Sequence, residues 1–265
     1  MLNYIKRQIK LNVARHYWNI MGSFTYYNQQ IFFPKNSEIF LRTIKEGIYE
    51  ADTLRVITAL IKPDTEVFDI GTNIGTISIP ILYCFETITL ISVEASPNTL
   101  PYLIKTHAAN KNFNRWFIID KAVANIEGKI NFQMATAAEG AYDSINDTKR
   151  TGVTNLVEIE CTTIDRIWNN RGQPEVSFIK IDIEGSDLIA LKGGINCIKT
   201  CKPSIILEWN PINIKAFDLV NKDLFDFFTG IDYSCFSVPV LHKISTPNDL
   251  DLYSNFTENF LLIPN

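Results

Sequence analysis

The chain has 265 residues, 46% hydrophobic and 20% charged, with a formal net charge of -4, a globular composition that excludes a disordered or fibrous protein. A pI near 5.5 offers no basic footprint to displace counterions, so nucleic acid is not expected as a partner. Five cysteines without a C-x-x-C pair, and only three histidines, point to reduced, mostly buried thiols rather than a disulfide framework or zinc site.

In chain order, "MLNYIKRQIKLNVARHYW" is basic and amphipathic but lacks the apolar centre of a signal peptide, so a cytoplasmic chain is expected. Its Lys6, Arg7, Lys10 and Arg15 fit a packed N-terminal helix better than a membrane-surface contact. No run reaches the length of a transmembrane segment. Residues Phe24 to Pro34 read as β structure, a candidate edge for a homo-oligomer, and "SEIFLRTIKEGIYEADTLRVITALIKP" reads as one or two helices ending near Pro63. From Val67 onward, apolar runs ("VFDIG", "ITLISVEA", "WFIIDKAV", "FIKIDIEG", "SIILEW") alternate with helical patterns, the rhythm of a mostly parallel sheet flanked by helices. Residues 135–154, "ATAAEGAYDSINDTKRTGVT", interrupt it with a long polar stretch suited to a substrate loop. Trp116, Trp168 and Trp209 are read as packing the sheet, with Trp209 also a candidate for stacking on a sugar.

Three stretches carry chemistry. In "EVFDIGTNIGTIS" an apolar strand turns into a helix through Gly71 and Gly75, with Asn73 where a dinucleotide fingerprint would have its middle glycine. Glu94 closes the next strand, at the spacing that puts a carboxylate on ribose hydroxyls. Lys180, Asp182 and Glu184 alternate along "FIKIDIEGSD", on one face of a strand, and Glu208 ends the strand expected beside it.

"YEADTLRVITALIKPDTEVFDIGTNIGTISIPI", "SVEASPNTLPYLIKTHAANK", "KAVANIEGKINF" and "SFIKIDIEGSDLIALKGG" resemble, in order and spacing, the FkbM-type S-adenosylmethionine-dependent methyltransferases, from Tyr49 to about Pro211. The resemblance implies a Rossmann-like class I methyltransferase fold: an α/β domain over residues 49–265 with a seven-stranded, mostly parallel sheet containing one antiparallel strand, preceded by an N-terminal extension over 1–48. It implies S-adenosyl-L-methionine as cofactor, with Asp69, Gly71, Asn73 and Gly75 at its methionine end and Glu94 on its ribose. Ala95, Ser96 and Asp120 to Ala122 would border the adenine, and Tyr49 and Glu50 would close over the donor. Thr72 stands where the family usually has alanine.

The activity implied is O-methylation of a small-molecule or carbohydrate acceptor. Asp182 and Glu184 are the candidate bases, Lys180 orients them, and His242 is a more distant option. No clear ligand set assigns a metal; the alternative use of Asp182, Glu184 and Glu208 is to hold a divalent cation that polarises the acceptor. The other readings left open are a nucleotide-dependent oxidoreductase and an inactive cofactor-binding protein.

Overall fold

Apolar runs with no polar face build the centre of this protein. The computed structural model describes residues 13, 15–111, 113–150 and 155–265; Lys6, Arg7 and Lys10 of the expected N-terminal helix, and 151–154 of the expected substrate loop, lie outside them. A hairpin of β1 (Ser23–Tyr26) and β2 (Gln29–Phe32) leads to helices α1 (Glu38–Glu46) and α2 (Ala51–Leu60). Then come β3 (Glu66–Ile70), α3 (Ser78–Cys84), β4 (Thr89–Val93), α4 (Leu100–Ala109) and β5 (Trp116–Ile119). An insertion follows, made of β6 (Ala122–Val123), β7 (Gly128–Met134), a 3-10 turn at Ala137–Tyr142, and β8 (Asn155–Thr162). The chain continues through α5 (Ile164–Asn170), β9 (Val176–Ile181), α6 (Asp187–Lys192), α7 (Ile195–Cys201), β10 (Ser204–Glu208) and α8 (Pro211–Lys215). It closes with α9 (Asn221–Gly230), β11 (Tyr233–Ser237), β12 (Lys243–Ile244), α10 (Pro247–Tyr253) and β13 (Asn259–Pro264).

The main sheet has the order β12-β11-β13-β10-β9-β3-β4-β5. Seven of these strands form the expected sheet, in which β13 alone runs antiparallel to its neighbours β10 and β11. The two-residue β12 adds an eighth strand at the edge, antiparallel to β11. Both β3 and β9 are buried at every position, because successive side chains enter different apolar layers. Phe68, Ile70, Ile179 and Ile181 join one layer, and Val67 and Phe178 the other.

The hairpin belongs to that second layer: Phe24, Ile31 and Phe33 pack in the same cluster as Val67 and Phe178. Its outer edge is capped within the chain, where Phe32 N donates to Thr106 Oγ1 at 3.0 Å and Gln30 N to Asn110 Oδ1 at 3.2 Å.

The insertion differs from expectation. "WFIIDKAV" does not form one strand: Trp116–Ile119 pairs with β4, while Ala122–Val123 pairs with β8 in a separate sheet ordered β6-β8-β7. β8 escapes a search for continuous apolar runs because, up to Cys161, its side chains are exposed or only half-buried.

Strand order reverses between β3 and β9: the chain builds outward from β3 to β4 and β5, then from β9 to β10. Such a switch point opens a crevice at the carboxyl ends of its two strands. Here those ends are Ile70 and Ile181, and the crevice holds the site.

Candidate donor and acceptor cleft

A cleft of about 650 Å³ lies over the switch point, within the range of small-molecule sites. Its floor is the exit of β3. A Cβ on Gly71, at φ +77°, would sit 1.8 Å from the Asp182 carbonyl oxygen, so glycine is needed where the β3 exit crosses that of β9.

The amides of the turn are all engaged. Gly71 N and Thr72 N donate to Val93 O at 2.9 and 3.1 Å, and Gly75 N to Thr72 O at 3.0 Å. Asn73 N donates to Glu94 Oε2 at 2.7 Å, and Ile74 N to Asn73 Oδ1 at 2.9 Å. A pyrophosphate-binding turn works by offering free amides to the ligand; this one offers none between Gly71 and Gly75.

Asp69 is fully buried beneath the turn, and Gly75 packs against Trp116 and Leu103; neither lines the cleft. Asp69 Oδ2 accepts from Thr72 Oγ1 at 2.6 Å and Ser78 Oγ at 2.5 Å. These bonds account for Thr72: the residue is 3% exposed, and its hydroxyl has a buried carboxylate to bond.

Glu94 lines the cleft with both oxygens in use, Oε1 from Ser96 N at 2.8 Å and Oε2 from Asn73 N at 2.7 Å. Each oxygen keeps a second lone pair, so the carboxylate can still accept two hydroxyls. Burial raises its pKa against these amide donors.

Ala95 and Ala122 line the cleft beside it; Asp120 is exposed and does not, and Lys121 takes that place. Ser96 lies underneath and donates to Asp143. Asp143 also accepts from Ala135 N at 2.6 Å and Asn98 Nδ2 at 3.0 Å. Residues 140–143 are thereby fastened along one wall of the cleft.

At the other end stand Asp182, Glu184 and Glu208, one oxygen of each within 4.8 Å of the others. Burial first, then Asp182, pushes the Glu184 carboxyl up to about 8, with Arg150 opposing. Burial, then Glu184 and Asp182, holds Glu208 well above the usual range. For Lys180, burial alone would lower the pKa, but Asp182, Asp69 and Glu50 outweigh it and keep the ammonium charged. Lys180 Nζ donates to Gly71 O and Asp182 Oδ2, both at 3.2 Å, and lies 3.8 Å from Asp69 Oδ1.

Two cleft carboxylates sit on left-handed backbone, Glu50 at φ +47° and Glu184 at φ +54°. Such strain costs about 1–3 kcal/mol and gathers at functional sites. Tyr49 and Glu50 both line the cleft, the Tyr49 ring buried beneath Arg42.

Asp187 and Asn213 were not singled out by the sequence, and Tyr142 and Arg150 fall within the stretch 135–154 expected as a substrate loop and line the cleft. Asp187, fully buried, accepts from Gly185 N at 3.2 Å and Glu208 N at 3.3 Å, tying the exits of β9 and β10 together. Arg150 stacks over Tyr142 at 4.5 Å and bonds Glu184 at 2.8 Å. Two candidates are excluded. His242 is exposed, stacks on Tyr253 and does not reach the cleft. Trp209 is fully buried with Nε1 bonded to Asn221, leaving no face for a sugar.

Among the described residues, eight carboxylates and four cationic side chains line the cleft, an excess of negative charge that suits a cationic ligand. The residues fit S-adenosylmethionine: Glu94 has open lone pairs that a ribose would fill, and the acidic wall would suit the positive charge of a sulfonium and an amino group.

The chain is 22% identical over 151 residues to the hexuronic acid methyltransferase AglP of Haloferax volcanii, covering 57% of this chain and 59% of that protein, so it spans about three fifths of that relative's length. Its fold is similar to the methyltransferase FkbM of Methylobacillus flagellatus, at 16% identity and TM-score 0.49, covering 86% of this chain and 55% of that one. It is also similar to an O-methyltransferase of Bacillus cereus in complex with SAH, at 10% identity and TM-score 0.47, covering 86% and 89%. The methyltransferase FkbM domain profile matches residues 69–235. That match spans more than half of the chain and includes both ends of the cleft, and on it the chain belongs to the methyltransferase FkbM domain family.

Proposed function

We propose that the protein transfers a methyl group from S-adenosyl-L-methionine to a hydroxyl oxygen of a small molecule or glycan, with a sugar the favoured acceptor. The observation that carries this reading is Glu94, a buried carboxylate with open lone pairs, beside a turn whose amides are spent and cannot cradle a pyrophosphate. The relative's activity on a hexuronic acid supports a sugar acceptor. A cytoplasmic setting fits five free thiols, and among the described residues no helix is long and apolar enough to cross a membrane.

When bound, the donor supplies an electrophilic methyl on a sulfonium that leaves as a neutral thioether. Glu94, at the exit of β4, would hold the donor's ribose, and Glu50, at the start of α2, would border it. At the other end Lys180 fixes Asp182, and Arg150 and Asn213 fix Glu184. An acceptor hydroxyl placed against these carboxylates attacks in line and loses its proton to them.

Calorimetric titration with S-adenosylmethionine, S-adenosylhomocysteine and NAD, on the wild type and Glu94→Ala, tests this. Both adenosyl ligands should bind and NAD should not, and the variant should lose about 2 kcal/mol, roughly thirtyfold in affinity, with its two charge-assisted bonds. Preference for NAD, or unchanged affinity in Glu94→Ala, would overturn the reading.

A further inference from the structure

Of the cationic side chains that line the cleft, three have surroundings that explain them. Lys180 donates to Gly71 O and Asp182 Oδ2 at 3.2 Å, Arg150 bonds Glu184 at 2.8 Å, and Lys121 stands beside Ala122 with Glu160 at 3.9 Å. Arg42, on α1, is the fourth. Its guanidinium lies over the Tyr49 ring, 4.9 Å from the centroid, and it donates no hydrogen bond to any of the described residues. Its ion pair, Nε to Glu46 Oε1 at 3.7 Å, is longer than a hydrogen bond, and the two side chains are 44% and 38% exposed. Such a pair contributes little. The planar fork, whose geometry matches a carboxylate at two points, is therefore open to a ligand.

Glu50 is a second and separate mark. It occupies the N-cap of α2, where a side-chain oxygen commonly accepts from the first amides of the helix, yet it makes no such bond. It lines the cleft instead, from left-handed backbone at φ +47°. The charges of Asp182, Lys180 and Arg42 act on it there. Arg42 and Glu50 are thus neighbours of opposite sign, each within electrostatic reach of the other, but they do not close into an ion pair. Tyr49 sets their spacing: fixed by its amide on Tyr26 Oη at 3.2 Å, it carries Arg42 on its ring and bonds Glu50 through its side chain. Opposite charges held side by side and apart complement a zwitterion.

We propose that Arg42 is the carboxylate-recognising residue of the cleft, forming with Glu50 a clamp for an α-amino acid group in which the guanidinium takes the carboxylate and Glu50 the ammonium. The inference rests on the methyl-donor reading, because that group is what S-adenosylmethionine and S-adenosylhomocysteine carry beyond the sulfur. It makes donor choice depend on the amino-acid end as well as on the ribose. A ligand with adenosine and sulfur alone fills only half of the site.

Calorimetry with two ligands reads the carboxylate by itself. S-adenosylhomocysteine carries it; the decarboxylated analogue S-adenosyl-3-thiopropylamine keeps the adenosine, thioether and ammonium and lacks only that group. The wild type should prefer S-adenosylhomocysteine by about tenfold or more, as one charge-assisted pair predicts. Arg42→Met keeps an apolar stem over Tyr49 and should abolish the preference by weakening S-adenosylhomocysteine alone, with retained affinity for the amine showing that the cleft is intact. Arg42→Lys should recover part of the preference. Glu50→Gln should weaken both ligands alike, since both carry the ammonium, whereas Glu46→Gln should leave the preference as in the wild type. Equal losses for the two ligands in Arg42→Met, or no preference in the wild type, would overturn the clamp and leave the donor reading standing. Failure of both ligands to bind the wild type would overturn the donor reading and the clamp with it.

Discussion

On the proposed reading, Glu94 is one residue that couples burial to ligand choice. Its carboxyl is raised above the ordinary 4.5 by burial, against the donors that hold it. Because the folded-state pKa lies above the unfolded one, the charged form costs stability at neutral pH, and that cost is relieved on acidification. Donor binding runs the other way. A carboxylate accepts two hydroxyls and its protonated form gives up part of that capacity. Affinity for S-adenosylhomocysteine should therefore begin to fall at a pH above 4.5 as acid is added, while the free protein gains from protonation at this position. Calorimetry across that range reads the bend directly, and a bend that survives in Glu94→Gln would assign it to another group.

At the scale of elements, the 140–143 wall depends on one carboxylate. Asp143 gathers Ser96 Oγ, Asn98 Nδ2 and Ala135 N, three donors from two segments. Asp143→Ala would leave Ser96 Oγ and Ala135 N without this acceptor, while Asn98 Nδ2 keeps Ala135 O at 3.0 Å, at a cost of about 1–3 kcal/mol. The wall would loosen while the sheet stays folded. Limited proteolysis should then cut between 135 and 150 faster than in the wild type, with donor affinity reduced; an unchanged cutting rate would show that this segment is held by something else.

The same elements show what was legible in the sequence. Buried strands such as β3 and β9 announce themselves as apolar runs, and Gly71, Asn73 and Glu94 stand at strand exits that line the cleft. Asp69, Gly75 and Ser96 shape the cleft from beneath, a distinction that spacing cannot make because it depends on the direction in which each side chain leaves the turn. β7 and β8 were missed because most of their side chains are exposed or half-buried. Asn213 and Arg150 lie 29 and 34 residues from Glu184 along the chain, and only the crossing of β9, β10 and the insertion brings them together.

For the whole molecule, the switch point makes fold and site one construction, and Gly71 is where that is testable. Two penalties would fall on Gly71→Ala: left-handed backbone at φ +77°, and a Cβ 1.8 Å from the carbonyl oxygen of Asp182. Gly47, at φ +85° just past α1, shares the first penalty but has nothing within 4 Å of an added Cβ. Gly47→Ala, at φ +85° and ψ -44° with open space around it, therefore isolates the conformational term, about 1–3 kcal/mol. The close contact in Gly71→Ala is with backbone, so relief requires the exits of β3 and β9 to part. That should add several kcal/mol, on the scale of severe core substitutions. Because the parted strands are those that carry Lys180 and lead into Asp182 and Glu184, the lost stability should come with lost donor affinity, a coupling absent from Gly47→Ala. Urea unfolding of the two variants beside the wild type measures the difference, and equal losses would mean that the crossing at the switch point is looser than a single carbonyl contact implies.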